Sequence, residues 1–287
     1  MNKISSIFHK KSSDSTTKHN SPAAISPATQ SQQMAQQYLK GKVAIVTGAG
    51  KLNGIGAQSA IALAEQGANV AIHYNSSAGP AEEVVSKLRG LGAQAVAIQA
   101  NASSTDFGKV LVEATLKAFH TQTIDIIVNN AGTAVMNGEG IKSVGIDDWD
   151  SVFHVNVRAP FLLIQAALPY LKEGGRIINV SSIIARLGSH MLPVYGSSKG
   201  ALNALTIAMS EELGPKGITI NVVAPGPIKT DLSMEGSPIA VRLRNNQHIK
   251  REGTAREVAE TILFVASPGA SYITGQLIGV DGGIGFP

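Results

Sequence analysis

Residues 39–287 of this chain predict a single doubly wound α/β domain, a seven-stranded parallel sheet flanked by helices, and three observations carry that prediction. Short apolar runs alternate with longer stretches of helical period, the order of consecutive βαβ units. The short runs are apolar throughout rather than alternately polar, so helices must cover the sheet on both faces. No second shift of composition follows Lys42, and 287 residues, 44% hydrophobic and 15% charged, are enough for one large α/β core.

Taken in order, the runs Val43–Thr47, Val70–His73, Ala95–Gln99, Ile124–Asn129, Ile177–Val180, Ile218–Val223 and Gln276–Val280 are the seven strands. Helical spacing of apolar residues marks Ala57–Gln66, Ala81–Leu91, Phe107–Phe119, Trp149–Leu171, Ser197–Leu213 and Arg256–Ala266 between them. Asp147 and Asp148 before Trp149 read as a helix start with a side-chain cap.

Residues 1–38 are of another kind. Ser, Thr, Gln, Ala, Asn and Pro dominate from Ser5 to Gln37 without an apolar period, the composition of an unstructured extension. Within residues 1–40, Lys3, Lys10, Lys11, Lys18 and Lys40 against Asp14 alone supply the whole formal charge of +4, and the remaining 247 residues balance. A neutral body argues against a nucleic-acid-binding domain, which would need a basic stripe on the fold. Ile4, Ile7 and Phe8 among the lysines outline a mitochondrial presequence, but arginine and a cleavage signal are missing there, so a cytoplasmic location is expected. No run of about 18 apolar residues is present to span a membrane. Cysteine is absent, which excludes disulfides and thiolate chemistry, and the seven histidines share no ligand spacing, so they read as surface or core residues and no metal is expected.

Candidate chemistry begins after the first strand, where Thr47-Gly48-Ala49-Gly50-Lys51-Leu52-Asn53-Gly54-Ile55-Gly56 leads into an alanine-rich helix. Glycines let the backbone turn tightly and approach a pyrophosphate, which the amides of the helix N-terminus then meet, so the segment points to a dinucleotide and the fold to the Rossmann type. The end of the second strand bears on which dinucleotide. An acid there would accept from a free ribose 2′-hydroxyl and repel a 2′-phosphate. Here the chain reads His73-Tyr74-Asn75-Ser76-Ser77 with no acid before Glu82, so Asn75 and Ser76 favour NADP(H) over NAD(H).

Tyr195 and Lys199 stand four residues apart at the opening of a helical run, a spacing that puts phenol and ammonium on one face. A nearby cation favours the phenolate, so the pair can exchange a proton with a carbonyl oxygen. Asn179-Val180-Ser181-Ser182 ends the preceding strand and Asn129-Asn130-Ala131-Gly132 the one before, both at the edge where parallel sheets present ligands. Asn156, inside a helical run, is a mediocre helix former, a sign that its side chain has another task.

In these segments, with Pro225-Gly226-Pro227-Ile228-Lys229-Thr230 and Val280-Asp281-Gly282-Gly283, the sequence resembles the short-chain dehydrogenase/reductase family from about Leu39 to the C-terminus. The resemblance implies that Tyr195 is the general acid/base, that Lys199 lowers its pKa and holds the nicotinamide ribose, that Ser182 bonds the substrate oxygen and that Asn156 positions a relay water. It further implies Gly48, Gly54, Ile55 and Gly56 along the pyrophosphate, Asn101 at the adenine, Asn130 at the adenosine ribose, and Ile228 and Thr230 over the nicotinamide. Residues Tyr74–Ser77 resemble NADPH-dependent fungal naphthol and keto reductases. The expected function is hydride transfer between the nicotinamide and a secondary alcohol or ketone, in the direction of carbonyl reduction. NAD-dependent alcohol oxidation and a non-catalytic NADP(H)-binding regulator are the rival readings. A small carbonyl or alcohol substrate, no nucleic acid, no membrane, and a homodimer or homotetramer complete the expectation. One departure stands out: five residues separate Gly48 from Gly54 where the family has three, which displaces Lys51 from the usual phosphate-side position. The segment between Thr230 and Thr254, with Leu232, Met234, Ile239, Val241 and Leu243, is expected to form an apolar lid over the substrate.

Overall fold

The structure, a computed structural model, describes residues 37–231 and 236–284. Seven strands form one parallel sheet in the order β3-β2-β1-β4-β5-β6-β9. They are β1 (Val43–Val46), β2 (Asn69–Tyr74), β3 (Ala95–Gln99), β4 (Ile124–Asn129), β5 (Leu171–Val180), β6 (Thr219–Pro225) and β9 (Leu277–Val280). The chain winds outward from β1 to β3, then returns to lay β4 against the other side of β1, so the order reverses between β1 and β4. Ligands of such sheets bind beyond the carboxyl ends at that reversal.

Alternation along each strand sends side chains to two cores. Ala44, Val46, Val70, Ile72, Ile126, Val128, Ile178 and Val180 pack beneath α1 (Ile55–Glu65), α2 (Ala78–Gly90) and α9 (Ala255–Ala266). Ile45, Ala71, Ile127 and Ile177 face the opposite way, beneath α3 (Phe107–Phe119), α5 (Ala159–Ala167) and α7 (Pro193–Leu213). On the second face α3 and α5 approach so closely that a Cβ added at Gly108 would overlap the Leu162 carbonyl oxygen and stand 2.8 Å from the Leu163 nitrogen. Backbone cannot rotate away as a side chain can. Gly108→Ala is therefore expected to destabilise the protein by about 3 kcal/mol in urea unfolding, and a variant as stable as the parent would show that the two helices separate freely.

The expected helix Trp149–Leu171 is divided. It begins earlier as α4 (Ile146–Phe153), widens into a π-turn at His154–Arg158, continues as α5 and tightens at Leu168–Tyr170 before β5. Gly145 rather than an aspartate occupies the N-cap; Asp147 and Asp148 lie within the first turn, where their charge complements the helix dipole. Trp149 stacks on Phe153 with centroids 4.8 Å apart. By length and composition this run, 146–170, is the one described helix that would reach across a membrane, but Val152, Asn156, Ala159, Leu163, Ile164 and Ala167 are buried in the protein.

Two short strands and two helices were not legible in the pattern. Residues Ile228–Lys229 (β7) and Gly253–Thr254 (β8) form a separate parallel pair that closes the neck of the segment between them. A short helix, α6 (Ile184–Leu187), follows β5, and α8 (Pro238–Asn246) occupies the expected lid. Within that lid Ile239 and Leu243 are buried, whereas Leu232 and Met234 lie outside the described residues. Most of the N-terminal extension, residues 1–36, also lies outside them. The chain enters the core at Leu39, whose amide donates to the Gln66 carbonyl at 3.0 Å.

Candidate active site

β1 ends at Thr47, and the Thr47 hydroxyl gathers the next strand's end onto the glycine loop. Its Oγ1 accepts from the backbone amides of Asn130 and Ala131, each at 3.0 Å. The Asn130 side-chain amide donates back to the carbonyls of Thr47 and Gly48 at 2.9 and 3.0 Å. Gly56 closes the arrangement: a Cβ there would fall 2.5 Å from Asn130 Nδ2 and 2.6 Å from the Gly48 carbonyl oxygen, so only glycine lets the helix start this near the strand.

The two extra loop residues are absorbed outside this contact. Lys51, Leu52 and Asn53 form an exposed turn closed by the Gly54 amide on the Lys51 carbonyl at 2.9 Å, and Gln58 donates to the Leu52 carbonyl at 2.8 Å. The loop is longer, yet α1 still begins at Ile55 with Gly54 as its N-cap. No side chain caps that end and no acid lies in its first turn, so the amides and the dipole of α1 face the crevice ready for an anion. The cradle fits the pyrophosphate of a dinucleotide on these grounds.

Asn75 and Ser76 are exposed just past β2, as an adenosine-side contact requires. Asn101, beyond β3, is exposed and uses Oδ1 to accept from the Ser103 amide at 2.9 Å. Ile228 and Thr230 leave β6 on the far side of the reversal, both half-buried, with Ile228 on the β7–β8 pair.

Four other side chains converge between β5, α7 and the π-turn. α7 starts at Pro193, earlier than expected, so Tyr195 and Lys199 share its first turns. Lys199 is buried, with Nζ 2.8 Å from the Val180 carbonyl and 5.9 Å from the Tyr195 ring centroid. Burial without an acid pushes its ammonium down to about 8. The Tyr195 phenol is pushed upward by burial and drawn back by a hydrogen bond with Ser182. Ser182 thus lies beside the phenol, while the Lys199 ammonium donates to the strand end and stands 5.9 Å from the ring centroid. Ser182 Oγ also accepts from the Ile184 amide at 3.2 Å.

Asn156 sits at the centre of the π-turn, fully buried. Its Oδ1 accepts from the Thr133 amide at 2.8 Å, and Nδ2 donates to the Thr133 carbonyl and the Ser198 hydroxyl, each at 2.9 Å. Ser198 in turn donates to the Tyr195 carbonyl at 2.7 Å. Asn156 therefore fastens the segment after β4 to the helix that carries Tyr195, and the π-turn, a feature frequent at functional sites, aims it there. Thr47 was read only as the start of the glycine loop, without its bonding role, and Thr133 and Ser198 were given no role in the sequence.

Above Tyr195 stands a third apolar cluster of Ile183, Ile184, Leu192, Ile239, Leu243 and Ile284, against which Tyr195 itself packs. The Arg242 guanidinium donates to the Gly188 carbonyl at 2.6 Å and ties α8 to the segment after β5. Of the other cations there, the exposed Arg251 pairs with Glu257 at 2.5 Å, Arg244 lies 3.8 Å from the half-buried Glu252, and the exposed Lys250 donates to the Asn245 carbonyl at 2.8 Å, which accords with a largely solvated surface.

A parallel sheet with an anion-ready glycine loop on one side of its reversal and a buried proton-exchanging pair on the other defines a dinucleotide-dependent oxidoreductase. Comparison with known proteins narrows the class. A family described as enoyl-(acyl carrier protein) reductase matches residues 48–285. Versicolorin reductase of Emericella nidulans is 39% identical over 259 residues, 85% of this chain and 96% of that protein. Hydroxynaphthalene reductase of Aspergillus fumigatus is 34% identical over 252 residues, 83% and 90% of the two chains. The crystal structure of a short-chain dehydrogenase from Burkholderia cenocepacia in complex with NADP superposes with a TM-score of 0.81 at 38% identity, covering 86% of this chain and 99% of that one. The chain belongs to the short-chain dehydrogenase/reductase family.

Proposed function

We propose that this protein is an NADP(H)-dependent carbonyl reductase acting on a small, hydrophobic cyclic ketone. The observation that carries the reading is the buried Ser182–Tyr195–Lys199 group beneath an apolar wall, at the strand ends beside the glycine loop. Bound NADPH supplies the hydride. Tyr195, whose proton is held firmly at neutral pH, donates it to the carbonyl oxygen as the alcohol forms. Ser182, beside the phenol, holds that oxygen within reach, and the Lys199 ammonium supplies positive charge beside the phenolate that remains. Ile184, Leu192, Ile239 and Leu243 exclude water and favour an apolar ring system. The names of the hydroxynaphthalene and versicolorin reductases support a ring-bearing substrate, and the NADP of the Burkholderia complex supports the cofactor.

The test is absorbance of the reduced nicotinamide with NADPH and then NADH over quinones, cyclic ketones, decalones and acetoacetyl thioesters. Turnover with NADPH on the cyclic ketones is expected; turnover confined to thioesters, or none, would sink the substrate reading. The exposed Asn75 provides a cofactor check. Asn75→Asp puts a carboxylate where the 2′-phosphate is expected, so kcat/KM with NADPH should drop about tenfold or more while NADH improves; an unchanged ratio would remove Asn75 from the cofactor site.

A homodimer or homotetramer is part of the same proposal. Phe153, Val157, Phe161 and Leu205 line a shallow groove on the outer side of α4, α5 and α7, with Phe161 and nearby Ile207 exposed, and helix faces of this kind pair subunits. A solution mass of one chain would refute it.

A further inference from the structure

We propose that His73 is a positioning residue for the cofactor, one neutral imidazole that sets the glycine loop against the end of β3, so that NADPH affinity follows the protonation of this ring. The inference rests on the reading of the chain as an NADP(H) enzyme and deepens it.

His73, next to last in β2, is 2% exposed, and Phe107 of α3 meets it edge-on with centroids 5.0 Å apart. Its Nδ1 lies 3.1 Å from the Gly48 amide and its Nε2 3.0 Å from the Ala100 carbonyl oxygen. An amide can only donate and a carbonyl only accept. The ring must therefore be neutral with its proton on Nε2, the one form that serves both partners. Gly48 opens the phosphate loop, and Ala100 directly precedes Asn101 on the adenosine side. One side chain thus spans the two halves of the proposed dinucleotide site. The Ala49 amide, which donates to the His73 carbonyl at 2.9 Å, holds the loop from the same residue's backbone.

The groups facing the ring are uncharged on every side: the Gly48 and Ala49 backbone from the β1 end, Ile98 and Ala100 from β3, and Phe107 from α3. Asp106, directly before Phe107, accepts from Ser104 Oγ, and among the described residues no ion pair includes His73. Burial accordingly favours the neutral ring and pushes its pKa below the ordinary histidine value. When acid does protonate it, Nδ1–H confronts the Gly48 N–H, two donors face each other, and the loop loses its side-chain tether to β2 while the backbone bond of Ala49 and the Asn130 contacts remain. The sign is fixed: below the ordinary histidine range the loop's order falls with pH, and above that range it is constant.

NADPH binding, followed by the fluorescence of its nicotinamide between pH 5 and 8, tests this on wild type, His73→Asn and His73→Leu, each with thermal unfolding to verify the fold. Asparagine keeps an acceptor near the position of Nδ1 but does not titrate; leucine keeps neither bond. Wild type is expected to bind more weakly in acid, His73→Asn to stay within about threefold of wild type at pH 7.5 and to lack the acid limb, and His73→Leu to bind about tenfold more weakly throughout. Titration of the 2′-phosphate is common to all three and cancels in the comparison. An acid limb retained in His73→Asn, or wild-type affinity in a folded His73→Leu, overturns the inference while leaving the functional reading intact. Should His73→Leu fail to fold, the acid limb in the wild type and asparagine proteins decides. A wild type that binds no NADPH at any pH overturns both.

Discussion

Tyr195→Phe is expected to lower carbonyl reduction by about 10³-fold, roughly 4 kcal/mol of barrier, while NADPH binds as before. The substitution removes one oxygen and leaves the ring that packs under Ile184, Leu192 and Ile239. The missing atom is the only described proton donor that is both buried beside Ser182 and held on the helix that carries Lys199. Because burial raises the phenol, the proton is present at neutral pH and available to the carbonyl; a reductase needs the acid form at the start of its cycle. Stopped-flow absorbance separates binding from chemistry. Unchanged NADPH affinity with lost turnover would fit the assignment, whereas a variant within tenfold of wild type would mean that another donor protonates the substrate.

The parts of the molecule legible in the sequence are those whose signal is local. Strands such as Ile126–Val128 and Ile177–Val180 are apolar over their length because both faces are covered, and that needs no knowledge of partners. Glycines at 48 and 56 stand out for the same reason: the backbone contact they permit leaves no alternative residue. The lost parts depend on tertiary contact. Two-residue strands such as Ile228–Lys229 carry no period, and their pairing with Gly253–Thr254 exists only after the chain has folded. The π-turn around Asn156 forms because that amide finds Thr133 and Ser198 at once, which the composition of the helix does not announce. His73 was grouped with the other histidines as a surface or core residue, because its two bonded partners come from segments 25 and 27 residues away.

Lys199→Met is expected to abolish turnover as completely as the loss of the phenol, and to change how stability depends on pH. Methionine fills the stem's volume but carries no charge and no donor for the Val180 carbonyl, which Nζ now meets at 2.8 Å. Catalysis suffers because the developing phenolate loses the buried cation whose Nζ stands 5.9 Å from its ring. In wild type the ammonium is depressed from 10.5 to about 8, so between those values the unfolded chain holds a proton that the folded chain does not. Unfolding free energy must therefore rise with pH across that window, by about 3 kcal/mol if the shift is complete. Below 8 the penalty for burying the charge is fully present; above 10.5 it is gone. Methionine has no such dependence, so in urea unfolding at pH 7 and 9.5 the wild type should gain stability relative to the variant as pH increases. Activity runs the opposite way, since kcat/KM of the wild type should decline above about pH 8 as the ammonium is lost. Parallel stability curves for the two proteins would show that Lys199 is solvated and its charge unconstrained. Opposed trends in one protein, stability rising with pH while turnover falls, have a single source: the charge that the reaction requires is the one that the fold bears least readily.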